Sequence, residues 1–277
     1  MSRELAERAV REGDLDGALR ALQDQVRAKP ADADLRVFLF QLLCVLGQWE
    51  RALTQLNVAA DLDPKTLAMA QMYREAIACE KFRVEVFEGT RSPVVFGEPE
   101  EWMALLVESL LAAGASRAGQ ARELRERAFE MAPASSGTLD GQAFEWIADA
   151  DMRIGPICEA VINGKYYWVP FARLSRIDLE PPADLRDVVW MPAHFEFANG
   201  GDVVGVIPTR YPGSHASTDA QLRLARKTVW AEEPPGVFTG LGQRVLTTDA
   251  GEHALMDVRA IVIGDAATER PGASASA

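Results

Sequence analysis

One short cluster in the C-terminal half of the sequence carries side chains that could support hydrolysis. It runs from Arg210 through Tyr211-Pro212-Gly213 to Ser214 and His215. A serine beside a histidine offers a nucleophile and a base, and an arginine can hold an anion. Adjacent side chains of an extended chain point to opposite faces, however, and no G-x-S-x-G pattern surrounds Ser214. The favoured interpretation is a type II turn with Pro212-Gly213 at its centre, and a site around Arg210, Ser214 and His215 is the alternative.

The remaining ionisable residues lack the spacing of a metal or cofactor site. The three histidines and three cysteines are scattered, without a C-x-x-C or H-x-x-x-H pair. Asp149 and Asp151 resemble the start of a calcium loop, but the next ligand position is Arg153. We therefore predict no metal and no cofactor.

The elements around these residues begin with a repeat in the N-terminal half. Matching residues recur at a spacing of 34: Gly13 with Gly47, Ala18 with Ala52, Leu22 with Leu56, and Pro30 with Pro64. Each glycine allows a tight turn between two helices, each alanine allows close helix contact, and each proline ends the second helix. The pattern resembles the tetratricopeptide repeat. It fades after Pro64, and residues from Lys65 to about Glu88 are predicted to form one long helix.

Stacked helix pairs of this kind form a concave groove lined by the first helix of each pair. A groove with small, mixed side chains suits an amphipathic helix or a peptide. The alternative is a purely structural role, in which the array only supports the C-terminal half. The residues predicted to line the groove and bind a partner are Asp34, Val37, Gln41, Cys44, Val45, Ala68, Gln71, Glu75 and Ala78.

The C-terminal half changes to a strand-like pattern after the Gly- and Ser-rich stretch that begins at Ser135. Asn163-Gly164 lies between two β-rich runs and predicts a two-residue hairpin, and Asn199-Gly200-Gly201 predicts a second hairpin. The fold class is therefore α+β: a tetratricopeptide-like superhelix followed by a small antiparallel barrel-like domain. The predicted boundaries are 1–134 for the helical domain, 135–267 for the β domain and 268–277 for a disordered tail.

Aromatic residues concentrate in the predicted β domain. They build its core, or some of them form an exposed contact patch that anchors a partner. The candidates for such a patch are Trp168, Arg210 and Tyr211.

Composition limits the function classes. Acidic residues outnumber basic ones by 41 to 29, which gives a net charge of −12 and argues against nucleic acid as a partner. No apolar run is long enough to cross a membrane, and the charged N-terminal segment does not resemble a signal peptide. A cytoplasmic protein with reduced cysteines is expected.

Long segments of the C-terminal half resemble the ImpE or SciE-type (TagJ) family, which accompanies bacterial type VI secretion systems. They are EWIADADMRIGPICEAVINGKYYWVPF, VVGVIPTRYPGS and GLGQRVLTTDAGEHALMDVR. The resemblance implies a non-enzymatic accessory protein. It also implies that the chain binds the N-terminal helix of the sheath subunit TssB and assists the AAA+ ATPase ClpV, which disassembles the contracted sheath. It supplies no catalytic residues.

Overall fold

The computed structural model of the protein describes residues 2–232 and 236–264. Its first part is helical, with one short strand between the fifth and sixth helices. The bounds are α1 Ser2–Glu12, α2 Leu15–Ala28, α3 Ala33–Val45, α4 Trp49–Leu62, α5 Leu67–Phe87, β1 Val94–Val95, α6 Glu101–Gly114 and α7 Ala118–Met131. The predicted 268–277 tail lies outside the described residues.

Local sequence signals set the helix pairs. Gly13 and Gly47 turn the chain with φ of +85° and +67°, a backbone conformation that favours glycine. The side chains of Asp14 and Asp32 accept hydrogen bonds from the first turns of α2 and α3, so each cap satisfies a backbone N–H group that the helix leaves free. Beyond Pro64, α5 continues for 21 residues without a hairpin, as the fading repeat predicts.

The second part is built mainly from strands. Its elements are β2 Gly137–Leu139, β3 Gln142–Phe144, β4 Ile147–Asp149, β5 Ile157–Ile162, β6 Lys165–Pro170, β7 Leu174–Leu179, β8 Trp190–Phe197, β9 Asp202–Pro208, α8 Ala220–Arg223, β10 Thr228–Glu232, β11 Phe238–Gly242, β12 Val245–Thr248, β13 Gly251–Ala254 and β14 Ala260–Ile263.

Eight of these strands and β1 of the helical part form one nine-stranded sheet in the order β1-β6-β5-β9-β8-β7-β14-β2-β3. Both predicted hairpins are present, as β5–β6 and β8–β9, and Asn163 and Gly164 have the positive φ angles that a two-residue turn requires. The α+β class is confirmed. Among the described residues, however, the sheet ends at the short strands β1 and β3 and does not close into a barrel. Smaller sheets are formed by β10-β11 and by β13-β12-β4.

The two parts share a hydrophobic core. β1 lies in the helical part but pairs in parallel with β6, with Val94 opposite Tyr167. On the face of the sheet toward the helices, Trp168 and Trp190 belong to the same buried cluster as Phe40 and Tyr73. A second buried cluster fills the other face of the sheet. The helical array is therefore packed directly on the sheet.

Candidate functional site

The Ser214 hydroxyl closes a turn. Gly213 has φ of 82° and ψ of −12°, the values of the third residue of a type II turn. Ser214 Oγ donates a hydrogen bond to the carbonyl of Tyr211 (2.6 Å) and accepts one from the N–H of Gly242 (2.8 Å). These bonds hold the turn against β11, so the hydroxyl is already engaged by backbone groups.

His215 packs against the helical part and does not serve as a base for Ser214. Its ring lies 5.9 Å from that of Trp49, centroid to centroid, and directly over Gly47. Burial lowers the pKa of His215, and the neighbouring Arg210 guanidinium lowers it further. The sequence pair that suggested a nucleophile and a base therefore forms part of the contact between the two halves of the chain.

Arg210 caps a helix across that contact. Its guanidinium donates to the carbonyls of Val45 (2.9 Å) and Cys44 (3.3 Å) at the end of α3, and to the carbonyl of Arg223. The last carbonyls of a helix have no partners within the helix and carry its negative dipole end, which favours a cation there. Burial lowers the pKa of Arg210 to about 10, but the group remains charged at neutral pH.

Glu159 lies at the centre of a buried ion network. Its carboxylate accepts hydrogen bonds from Arg83 of α5 (2.5 and 3.0 Å) and from the Tyr166 hydroxyl (2.5 Å), and it pairs with Arg244. Burial alone would raise the pKa of Glu159, but the charges of Arg83 and Arg244 outweigh it and lower the pKa to about 2. This network joins α5 to the middle of the sheet.

Asp149 continues the network toward the turn at Tyr211. It pairs with Arg244 and accepts a hydrogen bond from the Tyr211 hydroxyl (3.0 Å). Burial raises the pKa of Asp149 to about 6, although Arg244 acts in the opposite direction. The cavity beside Asp149, Glu159 and Arg244 measures about 10 Å³, room for one water at most. The charged groups thus satisfy one another and leave no space for a substrate.

The three residues of the candidate contact patch lie in this interior. Trp168, Arg210 and Tyr211 are all buried. They do not form an exposed patch, and the core interpretation of the aromatic residues applies to them. The Trp168 indole N–H donates to the Tyr166 hydroxyl (2.8 Å), which extends the Glu159 network.

Part of the predicted groove is filled by the chain itself. Cys44 and Val45 are fully buried and line neither of the open clefts described below, which corrects the prediction that they form an open partner surface, whereas Gln41 is also buried but lines one of those clefts. A 3₁₀ turn, Leu185–Val188, packs on α3, and its Arg186 lies 5.0 Å above the ring of Tyr73 on α5. The C-terminal half therefore occupies the middle of the concave face.

An open cleft remains beside this turn. Asp34, Val37 and Gln41 line a volume of about 630 Å³ between α1, α3 and residues 183–185. A second cleft of about 570 Å³ shares Arg3 and Asp34 with the first and continues between α1, α2 and the start of α3. The further residues that line the first cleft are Arg3, Glu7, Val10, Arg11, Phe38, Ala183, Asp184 and Leu185.

The four predicted residues on α5 are separate from this cleft. Ala68, Gln71 and Ala78 are exposed, and Glu75 is half-buried against the turn at Gly164. None of them lines either cleft. The structure thus divides the predicted surface into two parts.

Within residues 2–232 and 236–264, no group of three or more His, Cys, Asp or Glu side chains is placed to hold a metal ion. None of the helices in those ranges combines the length and apolar character that a membrane span requires.

Comparisons with known proteins agree with this architecture. The family model described as ImpE protein matches residues 141–262, and a tetratricopeptide repeat model matches residues 9–76. A protein of Pseudomonas aeruginosa named type VI secretion system accessory component TagJ is 48% identical over 92% of this chain and 89% of its own length. The crystal structure of protein VPA1032 from Vibrio parahaemolyticus aligns with a TM-score of 0.84 at 28% identity, over 94% of this chain and 97% of that one.

Proposed function

This chain belongs to the ImpE family, and from that premise we propose that it is a non-enzymatic accessory protein of a type VI secretion system that works as an adaptor in the cytoplasm. The name of the Pseudomonas relative supports the secretion role. The tetratricopeptide repeats support a protein partner, because such arrays commonly act as binding surfaces. The internal bonding of Ser214 and Arg210 leaves the hydrolytic alternative without a free nucleophile at that turn.

The proposed partner is the amphipathic N-terminal helix of a TssB-like sheath subunit. Binding that helix would place the adaptor on the sheath, where it assists disassembly by ClpV. The observation that carries this proposal is the open cleft between α1 and α3. Its lining includes the apolar side chains of Val10, Val37, Phe38 and Leu185 together with charged side chains of both signs. This arrangement suits a helix with one apolar stripe and polar flanks.

Titration of the sheath-subunit N-terminal peptide into the full chain by calorimetry tests the proposal. We expect saturable binding that Val37→Glu weakens at least about tenfold, because a carboxylate would be buried against the apolar stripe. Val204→Glu is the matched control, since Val204 is 72% exposed on β9 and lines neither cleft.

A third variant, Ala78→Arg, separates the two parts of the predicted surface. Binding that weakens with Val37→Glu alone supports the cleft. Binding that weakens with Ala78→Arg alone moves the site to α5 and contradicts the cleft, as does the absence of saturable binding.

A further inference from the structure

The β10–β11 hairpin has one covered edge and one open edge. On the outer side of β11, the Phe238 carbonyl accepts from the N–H of Met152 (3.0 Å), and the Gly240 N–H donates to Asp151 (3.0 Å). At the end of β11, the Gly242 carbonyl accepts from the N–H of Tyr211 (2.9 Å). β11 is therefore fixed to the body of the protein on the side away from β10.

These contacts show which backbone N–H and C=O groups of β10 face β11 and which face the open edge. Phe238 and Gly240 direct their backbone groups away from β10, so Thr239 and Leu241 face it and pair with Ala231 and Val229. The bond from the Gln243 N–H to the Lys227 carbonyl (3.0 Å) follows the same alternation. Hence the alternate residues of β10 present their N–H and C=O groups to the open edge: Thr228, Trp230 and Glu232.

The open edge is also accessible and has little protection. Val229 and Trp230 are 40% and 37% exposed, and no hydrogen bond from outside the hairpin reaches the β10 backbone within the part of the chain that the structure describes. Thr228–Glu232 contains no lysine, proline or bulge, three of the features that commonly protect an edge strand, and Glu232 at its end is its one charged residue. A two-stranded ribbon is marginal alone and gains stability from further strands.

We propose that β10 is a self-association surface, where it pairs in antiparallel fashion with β10 of a second copy about a two-fold axis at Trp230. This register places each Thr228 opposite Glu232 of the other copy, so the carboxylates do not face each other although the chain carries a net charge of −12. The outward N–H and C=O groups then form about six hydrogen bonds, and the two hairpins become one four-stranded sheet. None of the five residues of β10 lines the proposed helix cleft.

Light scattering and sedimentation of the full chain up to about 100 µM test this pairing, because an edge contact this small predicts weak association that depends on protein concentration. Glu232→Pro removes an outward N–H, which an edge strand tolerates, and is expected to keep the protein monomeric. Glu252→Pro is the matched control. β13 is also an edge strand. The backbone groups of Val245 point toward β4, and those of Thr247, two residues on, do the same. Glu252 pairs with Thr247, so its backbone N–H points to the open edge of β13. This variant is expected to dimerise like the parent chain.

Amide hydrogen exchange of the parent chain gives a second readout that does not depend on a variant's folding. The exchange of the Trp230 and Glu232 amides should slow as the protein concentration rises, while the amides of Val229 and Ala231, already bonded to β11, should not change. A monomer at all concentrations, a dimer that Glu232→Pro leaves intact, or β10 amides protected equally at low and high concentration would each overturn the proposal.

Discussion

Replacing Glu159 by glutamine tests whether the buried network holds the two parts of the chain together. Glu159 is fully buried and bonds to Arg83, Arg244 and Tyr166. Glutamine keeps the size of the side chain but removes its charge, and its amide group turns an N–H₂ toward guanidinium donors. Two buried arginines then lose their shared counter-ion. Breaking a buried ion pair from one side costs about 3–5 kcal/mol, a large part of the roughly 5–15 kcal/mol that stabilises a folded protein.

Urea unfolding followed by circular dichroism measures this cost. We expect the unfolding midpoint of Glu159→Gln to fall by about 1–2 M. The control is Glu85→Gln, because Glu85 pairs with Arg91 at 2.9 Å while both side chains remain about half exposed. An exposed pair contributes about 0–1 kcal/mol, so its midpoint should hardly move. Equal, small losses in the two variants would refute the claim that Glu159 anchors the interface.

Further predictions concern pH, the turn and the helix contact. The stability that Glu159 contributes is complete above its ordinary pKa of 4.5 and is lost as pH falls toward about 2, so acid titration of Glu159→Gln should lack this loss. Asp149 acts in the opposite direction, because burial raises its pKa from the ordinary 3.8 to about 6. The stability of the folded chain should therefore fall as the pH rises from 3.8 to 6. Asp149→Asn should remove that fall in a pH titration followed by circular dichroism. Ser214→Ala should lower the free energy of unfolding by about 1–3 kcal/mol, because the Tyr211 carbonyl and the Gly242 N–H lose their partner. The affinity for the sheath peptide should stay unchanged. A loss of affinity with intact stability would contradict a structural role for Ser214. In urea unfolding, Gly47→Ala should cost more stability than Gly200→Ala. Both glycines have positive φ, but only at Gly47 would an added methyl group overlap the His215 ring. Equal costs would contradict that packing.

Features that depend on neighbouring residues could be predicted from the sequence. Gly47, Asn163 and Gly164 are residue types that favour a positive φ, and each has that conformation. The helix pair at Gly47 and the hairpin at Asn163-Gly164 follow from it. The type II turn at Pro212-Gly213 is another local signal that the structure contains. These signals were sufficient for the α+β class.

Contacts between distant residues could not be predicted in this way. Cys44 and Val45 lie on the inner face of α3 in the repeat register, but Arg210, 165 residues after Val45, covers them. The 3₁₀ turn at Leu185–Val188 has no sequence pattern that marks it as an insert into the groove. One signal was present: Glu159 stands alone in the apolar run ICEAVI, and a charge in a buried strand requires a partner. Its partners Arg83 and Arg244 lie too far along the chain to be recognised.

The most direct test of the adaptor proposal is hydrogen exchange of the full chain with and without a saturating amount of the sheath-subunit N-terminal peptide. The cleft places the peptide against α1, α3 and residues 183–185. We predict slower exchange in α1 and around Asp184, with no change around Gln71 and Ala78 on α5. Protection confined to α5 or to the sheet, or unchanged exchange at saturation, would contradict the adaptor proposal.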